Sequence, residues 1–410
     1  MTMALTETRA PAPMQAPAAR SSIARVAVAG DLATFEGVWR GLDRDGVASP
    51  YQSFDWVRLW HEKISGPKGE APLIVVGFDA GGNPAFLWPL VRERFGPFRV
   101  ATHFGGKHAT LNFFPWRRET AEGFGVEDMK LVFAQIADYA PDLDFVMLFN
   151  QPDAWNGAPN PFALLPRHRS TEDNFVLNIG GRSGKEVLEQ ELSNSMRSRL
   201  RNKERKLAKL PGYRYLKATT PAEVDRCLDA FFVQKAEKLT AMGLDNVFGH
   251  EGVEDFIRAA CHDGLSTGNP VIELHALEID GDMLALFSGI HDRRRFTSMF
   301  NSHSNSENSR QSPGLILLQH VVADCADRGF ESFDIGPGEA RYKTFFCKTF
   351  EPIFDSILPL SSRARLAAPP VRAVFGLKSE IKHNPALWSV ASFVRRNLNR
   401  FRRGDTPAED

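Results

Sequence analysis

Arg310-Gln311-Ser312-Pro313-Gly314-Leu315-Ile316 stands between a strand-like run, Phe296 to Ser302, and an apolar stretch of helical character, Leu315 to Ala326. Ser312 suits an N-cap, Pro313 the first helical position, and Gly314 the close approach of a ligand to the backbone. A helix begun this way offers unpaired N–H groups and the positive end of its dipole, an anion site fit for a phosphate or pyrophosphate. Arg310 adds positive charge to it. The segment is therefore expected to form a strand–turn–helix unit with an anion bound at the turn.

Outward from this turn, the order of elements repeats across the chain. Val271 to Ile279 and Met283 to His291 flank Asp280-Gly281, a two-residue hairpin signal, and Phe296 to Ser302 adds a third strand. Two helices precede them, Ala222 to Met242 and Glu251 to His262, and a strand, Ser332 to Ile335, follows. The first half shows the same order. Helices Leu32 to Leu42 and Gln52 to Lys63 lead into strands Pro72 to Phe78 and Ala85 to Arg92, joined at Gly81-Gly82-Asn83. Strand Arg99 to Phe104, helix Asp128 to Tyr139 and strand Asp144 to Phe149 complete the half. The echo predicts duplication of an α/β unit: a mixed α/β fold with two tandem units around a shared cleft. The units are expected at 23–180 and 181–360, after a disordered tail at 1–22 and before a basic amphipathic tail at 361–410.

Composition narrows the function classes. The 410-residue chain is 43% hydrophobic, enough for two cores, and its 50 Lys and Arg balance 50 Asp and Glu. Whole-chain charge thus gives no reason to expect nucleic acid. Cys227, Cys261, Cys325 and Cys347 lie too far apart for zinc-site or disulfide spacing, so no metal is expected. With no leader-like apolar core, the expected location is the cytoplasm, with a peripheral contact at the inner face of the membrane. That contact would come from the tail, where Arg365, Lys378, Arg395 and Arg402 alternate with Trp388, Phe393 and Phe401 and suit an anionic bilayer. Gly184 to Leu210 is expected as one basic helix with an apolar stripe at Leu188, Leu192, Met196 and Leu200. Its cationic surface is either a solvated face or a phosphate-contacting one.

Two motifs bring a family into view. Gln311-x-x-Gly314-x-Ile316, after a strand and opening a helix, resembles the acyl-CoA signature of the GNAT acetyltransferase superfamily, with Ile316 where the family has a small residue. Phe333-Asp-Ile-Gly-Pro-Gly-Glu-Ala-Arg-Tyr-Lys343 is similar to a hallmark of its cellulose-biosynthesis (CelD/BcsL-like) branch, which is related to the Fem-like aminoacyl transferases. Ser49-Pro-Tyr-Gln-Ser-Phe-Asp-Trp56 and the basic helix from Met196 to Lys209 resemble that branch too. The resemblance covers roughly residues 45 to 360 and implies tandem GNAT-like units with the acyl-donor site in the second. It further implies an N- or O-acyltransferase using acetyl-CoA or another acyl-CoA, acting on a sugar, polysaccharide precursor or other small polar acceptor. The alternatives are a Fem-like transferase using charged tRNA and a non-catalytic GNAT-fold binding protein at the membrane.

Acyl transfer from a thioester needs a phosphate cradle, a donor to the carbonyl, and proton handling. The cradle is expected from Arg310, Gln311, Ser312, Gly314 and Leu315, with Lys343 as a further phosphate contact. A backbone N–H near Phe300 to Ser302 is expected at the thioester carbonyl. Tyr342 is the candidate acid toward the leaving thiolate, since a phenol stays protonated at neutral pH. Candidate bases are Asp334, Glu339 and His303, the last because histidine titrates near neutrality. Asp334 can equally serve only to tie down the Gly336-Pro337-Gly338 turn. The His103 to Asn112 loop of the first unit lacks a Gln-x-x-Gly turn and is expected to shape the acceptor cleft.

Overall fold

The computed structural model describes residues 22–338, 340–384 and 387. The fold is mixed α/β and holds two seven-stranded sheets. The first runs in the order Arg25–Ala29, Ala71–Phe78, Pro84–Phe95, Phe98–His103, Phe145–Pro152, Ile353–Pro359, Arg167–Arg169. The second runs Arg214–Lys217, Glu273–Ile279, Asp282–His291, Arg295–His303, Ser332–Pro337, Asn174–Asn178, Phe350–Glu351. Each starts with antiparallel neighbours. Asp280 and Gly281, with φ of 48° and 91°, make the expected tight turn between two of them. Each then changes to a parallel pair, Phe98–His103 beside Phe145–Pro152 and Arg295–His303 beside Ser332–Pro337. A parallel pair needs a crossover, supplied by the helices Val126–Tyr139 and Pro313–Asp327.

The duplication is closed by exchange. Asn174–Asn178, which precedes the second unit, pairs antiparallel with Ser332–Pro337 in the second sheet. Ile353–Pro359, at the end of the second unit, pairs antiparallel with Phe145–Pro152 in the first sheet. The expected boundary after residue 180 therefore divides the chain but not the sheets, because each sheet is completed by a strand from the other side of it. One core also spans both halves: Trp56 and Trp60 meet Phe256 edge-on at 5.2 and 5.0 Å. Phe104 lies in the same buried cluster as Phe231 and Phe300.

Local sequence explains most helix ends. Thr220 and Glu223 form a reciprocal cap at the start of Pro221–Met242, and Gly243, at φ 64°, ends it. The long basic helix expected over Gly184–Leu210 is two helices, Gly184–Glu191 and Asn194–Leu207. Leu192 is extended between them, and the Ser193 hydroxyl accepts the Met196 N–H at 3.2 Å, capping the second afresh. Part of the basic tail, Ser362–His383, is a helix packed on the first sheet through Ala364 and Ala368. Arg363 and Ser361 anchor its start to the Asp144 carboxylate. Residues 1–21 of the tail expected at 1–22, and most of the tail beyond Asn384, lie outside the described residues.

Candidate functional site

The second sheet opens where its parallel pair ends. Arg295–His303 is paired with Ser332–Pro337 only over Arg295 to Thr297 and Ser332 to Asp334. Past that point Gly336 turns at φ 89°, and the strands part. On the other edge the Ser304 N–H donates to the Leu284 carbonyl at 2.9 Å, and the Phe300 N–H to Ser288 Oγ at 3.0 Å. Backbone groups alternate along a strand, so Met299 and Asn301 turn theirs toward the opening. Consistent with this, the Asn301 carbonyl is free of the sheet and accepts from Lys235 Nζ at 3.0 Å. Asn301, one of the three residues expected to offer an N–H, thus faces the gap, whereas the N–H of Phe300 is spent on Ser288.

A cavity of about 340 Å³ lies against this opening, bounded by Asn301 to His303, the helix start at Ser312 to Leu315, and Tyr342. Five of the sequence-predicted residues, Tyr342, His303, Ser312, Gly314 and Leu315, line it. Burial raises the pKa of the Tyr342 phenol, against a hydrogen bond with Asn301. His303 Nε2 lies 3.2 Å from Lys238 Nζ, so it acts as the acceptor and the ring proton sits on Nδ1. Lys238 carries no motif that marks it as a site residue, because only the register of distant elements brings it here; Lys203 belongs to the basic surface expected to be either solvated or phosphate-contacting.

The helix start differs from its expected form. Ser312 sits in the left-handed region at φ 56°, ψ 54°, and its side chain caps nothing. Its hydroxyl instead accepts from Lys203 Nζ at 2.7 Å, and the same ammonium donates to the Arg310 carbonyl at 2.9 Å. The Leu315 and Ile316 N–H groups turn inward to the Ser312 carbonyl, at 3.0 and 3.2 Å. Pro313 has no N–H, so in this first turn Gly314 carries the N–H without a partner among the described residues. A Cβ built on Gly314 would meet nothing within 4 Å, so neither packing nor backbone angle demands glycine there. What the glycine leaves is open space beside its N–H. Ile316, where the family signature has a small residue, points into the core at 0% exposure and does not narrow the cavity.

The remaining candidates lie elsewhere. Asp334 is fully buried, and its carboxylate accepts from Arg295 at 2.6 and 2.7 Å, Asn174 at 3.0 Å and Thr297 at 3.1 Å. Its carboxylate oxygens are thus engaged within the sheet, where they tie three strands together and do not hold the Gly336-Pro337-Gly338 turn. Lys343 donates to the Gly336 and Pro337 carbonyls at 2.9 and 2.7 Å, fixing that turn, and burial lowers its pKa to about 8. It therefore makes no phosphate contact in this arrangement. Arg310 is exposed on the short turn Glu307–Gln311, and neither it nor Gln311 borders the cavity. Glu339 lies outside the described residues.

In the first unit, the polar loop at His103 to Asn112 is held from within: Asn112 Oδ1 accepts from Gln52 at 2.7 Å. Thr110 donates to the Tyr51 hydroxyl at 3.0 Å, which reaches the Ser298 carbonyl of the second sheet at 3.4 Å. Glu273, His275 and Asp324 are close enough to hold a cation. Glu273, however, already pairs with Lys217 at 2.8 Å and Arg328 at 2.6 Å, and His275 Nδ1 with the Tyr215 hydroxyl at 2.7 Å, so the cluster is a closed ion network.

This strand–turn–helix opening has a counterpart among known families. Residues 194–344 match the GNAT acetyltransferase domain. The matched region runs from the capped basic helix through the opened strands to Tyr342 and Lys343, and it contains every residue that lines the cavity. No curated protein matches the chain. Among solved structures, FemX aligns with a TM-score of 0.56 over 82% of this chain and 97% of its own, at 11% identity. The C-terminal domain of a putative lysylphosphatidylglycerol synthetase from Agrobacterium fabrum aligns at 0.48, over 84% and 98%, with 13% identity. A tandem GNAT protein from the clavulanic acid biosynthesis pathway aligns at 0.42, over 82% and 99%, with 11% identity. At such identities the likeness to FemX is one of fold.

Proposed function

We propose that this protein is an acyltransferase that takes an acyl group, acetyl foremost, from acyl-CoA and passes it to an amine or hydroxyl of a polar acceptor. The observation that carries the reading is the opened strand pair with Asn301 on one wall and the unfilled Gly314 turn on the other. Gly314 N–H and Lys203 hold donor phosphate, and the Asn301 N–H polarises the thioester carbonyl. A preorganised donor of that kind is worth roughly a hundredfold or more in rate. As the carbon–sulfur bond breaks, Tyr342 gives its proton to the thiolate. Once an incoming acceptor displaces Lys238 from His303 Nε2, that nitrogen takes the proton released by the acceptor's nitrogen or oxygen. The CelD-like segment Phe333 to Lys343 favours a sugar or polysaccharide precursor as acceptor.

Calorimetry with acetyl-CoA tests this reading. Wild type binds, and Gly314→Glu, which fills the open space and repels phosphate, loses binding at least tenfold. Gly314→Ala separates fold from ligand. Removing a helical glycine raises stability by about 0.5–1 kcal/mol while the added methyl weakens the donor complex. Failure of any acyl-CoA to bind at millimolar concentration, with charged tRNA binding instead, would transfer the reading to an aminoacyl transferase.

The helix Ser362–His383 supports a second part of the proposal, a peripheral contact with an anionic bilayer. Leu366 and Leu377 are 84% and 60% exposed on the side opposite the packed Ala364 and Ala368, and Val374 is exposed on the flank. Arg365 and Lys378 are also exposed on this helix. No helix among the described residues is long and apolar enough to cross a membrane.

A further inference from the structure

We infer that the face of helix Asn194–Leu207 beside the cavity is a phosphomonoester site that holds the 3′-phosphate of the CoA donor, an inference that rests on the acyl-CoA reading of the cavity. Four observations carry it. First, Lys203 is fixed at the rim by its two bonds to the Arg310 carbonyl and Ser312 hydroxyl, so this helix is locked to the anion turn. Second, Arg199 and Lys206 stand one turn to either side of Lys203 on the same face, both exposed. Burial, and after it the two neighbouring cations, lower the Lys203 pKa.

Third, the charge is unbalanced. Glu204 is the helix's one acid, and its carboxylate is occupied by His320 and Tyr213. Among the described residues no acid pairs with Arg199, Lys206 or the adjacent Arg310. Like charges three and four residues apart repel, so nothing in the fold itself rewards this arrangement. An anion seated on it would.

Fourth, the turn alone is a poor polyanion cradle, since Ser312 takes the N–H groups of Leu315 and Ile316 and leaves that of Gly314. One donor and one ammonium suit a pyrophosphate at the turn; two further cations one helix away suit a separate phosphate. A ligand with two anionic groups, a pyrophosphate and a phosphomonoester, matches the pair of subsites, and CoA is such a ligand.

Comparison of CoA with dephospho-CoA, which lacks only the 3′-phosphate, tests this by calorimetry on the full chain. Wild type should bind CoA about tenfold more tightly than dephospho-CoA, as one charge-assisted contact predicts. The Arg199→Gln/Lys206→Gln double variant should bind both alike, with dephospho-CoA affinity unchanged and the thermal melt unmoved. Lys203 is left intact because it also holds the turn. Equal binding of the two ligands by wild type overturns the site while leaving the acyl-CoA reading standing. Equal loss of both ligands in the double variant overturns it too, since the cations would then act only as a diffuse field. Binding of neither ligand overturns the acyl-CoA reading along with it. Tighter binding of tRNA than of CoA, lost in the double variant, assigns the face to an RNA backbone.

Discussion

Asp334 and Tyr342 sit eight positions apart in one motif, yet the structure gives them opposite tasks, and mutation should separate them. Asp334 closes a buried network with Arg295, which also reaches Glu351 Oε2 at 2.6 Å. Removing one partner leaves an uncompensated buried charge, so Asp334→Ala should cost about 3–5 kcal/mol in urea unfolding. Tyr342 is half-buried at the cavity wall, and Tyr342→Phe keeps its ring. The expected result is a stability change within about 1 kcal/mol and a fall in kcat of about a hundredfold or more with acetyl-CoA. A stable but fully active Tyr342→Phe enzyme would remove Tyr342 from the mechanism. Residue chemistry alone could not tell the two apart. A carboxylate at a strand end suits a base or a tether, and the choice lies with Arg295, a residue 39 positions earlier that only the parallel pairing brings near. The same limit hid Lys238, and left the basic face that carries Lys203 open between solvent and phosphate. Their charge was legible, but their aim depends on where their helices dock.

At the scale of elements, what was legible followed local signals. The hairpin at Asp280-Gly281 and the crossover helix Pro313–Asp327 each follow from a few consecutive residues. The split at Leu192 and Ser193 was within reach, since Ser193 is a capping residue inside an apolar stripe whose spacing of four masked the break. Strands Asn174–Asn178 and Ile353–Pro359 were not legible, because their partners lie across the chain and their short runs give no periodicity to set against loop. For helix Ser362–His383 the sequence suggested an amphipathic stretch, and the fold adds that its apolar residues point two ways: Ala364 and Ala368 inward, Leu366 and Leu377 outward. Flotation with vesicles containing anionic lipid should carry the protein upward. The Leu366→Glu/Leu377→Glu variant should stay at the bottom with its melting temperature unchanged, because both side chains are exposed. Unaltered flotation of that variant would show that the ridge does not dock on lipid.

For the whole molecule, duplication and exchange act together. The repeated order of elements predicts two units that each look autonomous, whereas the sheet order makes neither complete without the other. Cut after residue 180, the first fragment would lack Ile353–Pro359, leaving the backbone of Phe145–Pro152 exposed along one edge. The second would lack Asn174–Asn178 and with it the Asn174 amide on Asp334 and the pairing that steadies Ser332–Pro337 beside the cavity. Both would also expose the core shared by Trp56, Trp60 and Phe256. An open strand edge together with a bared aromatic surface favours aggregation. Fragments 22–180 and 181–384 expressed separately should therefore be insoluble or lack a cooperative melt, and co-expression should recover a single complex with one transition. A fragment 181–384 that melted cooperatively and bound acetyl-CoA on its own would show that the exchanged strands are not needed, and that the donor site depends on the second sheet alone. The expectation is the reverse. The opening at the proposed donor site exists because Ser332–Pro337 leaves Arg295–His303 after Asp334 while it stays paired with Asn174–Asn178, a strand from the far side of the duplication.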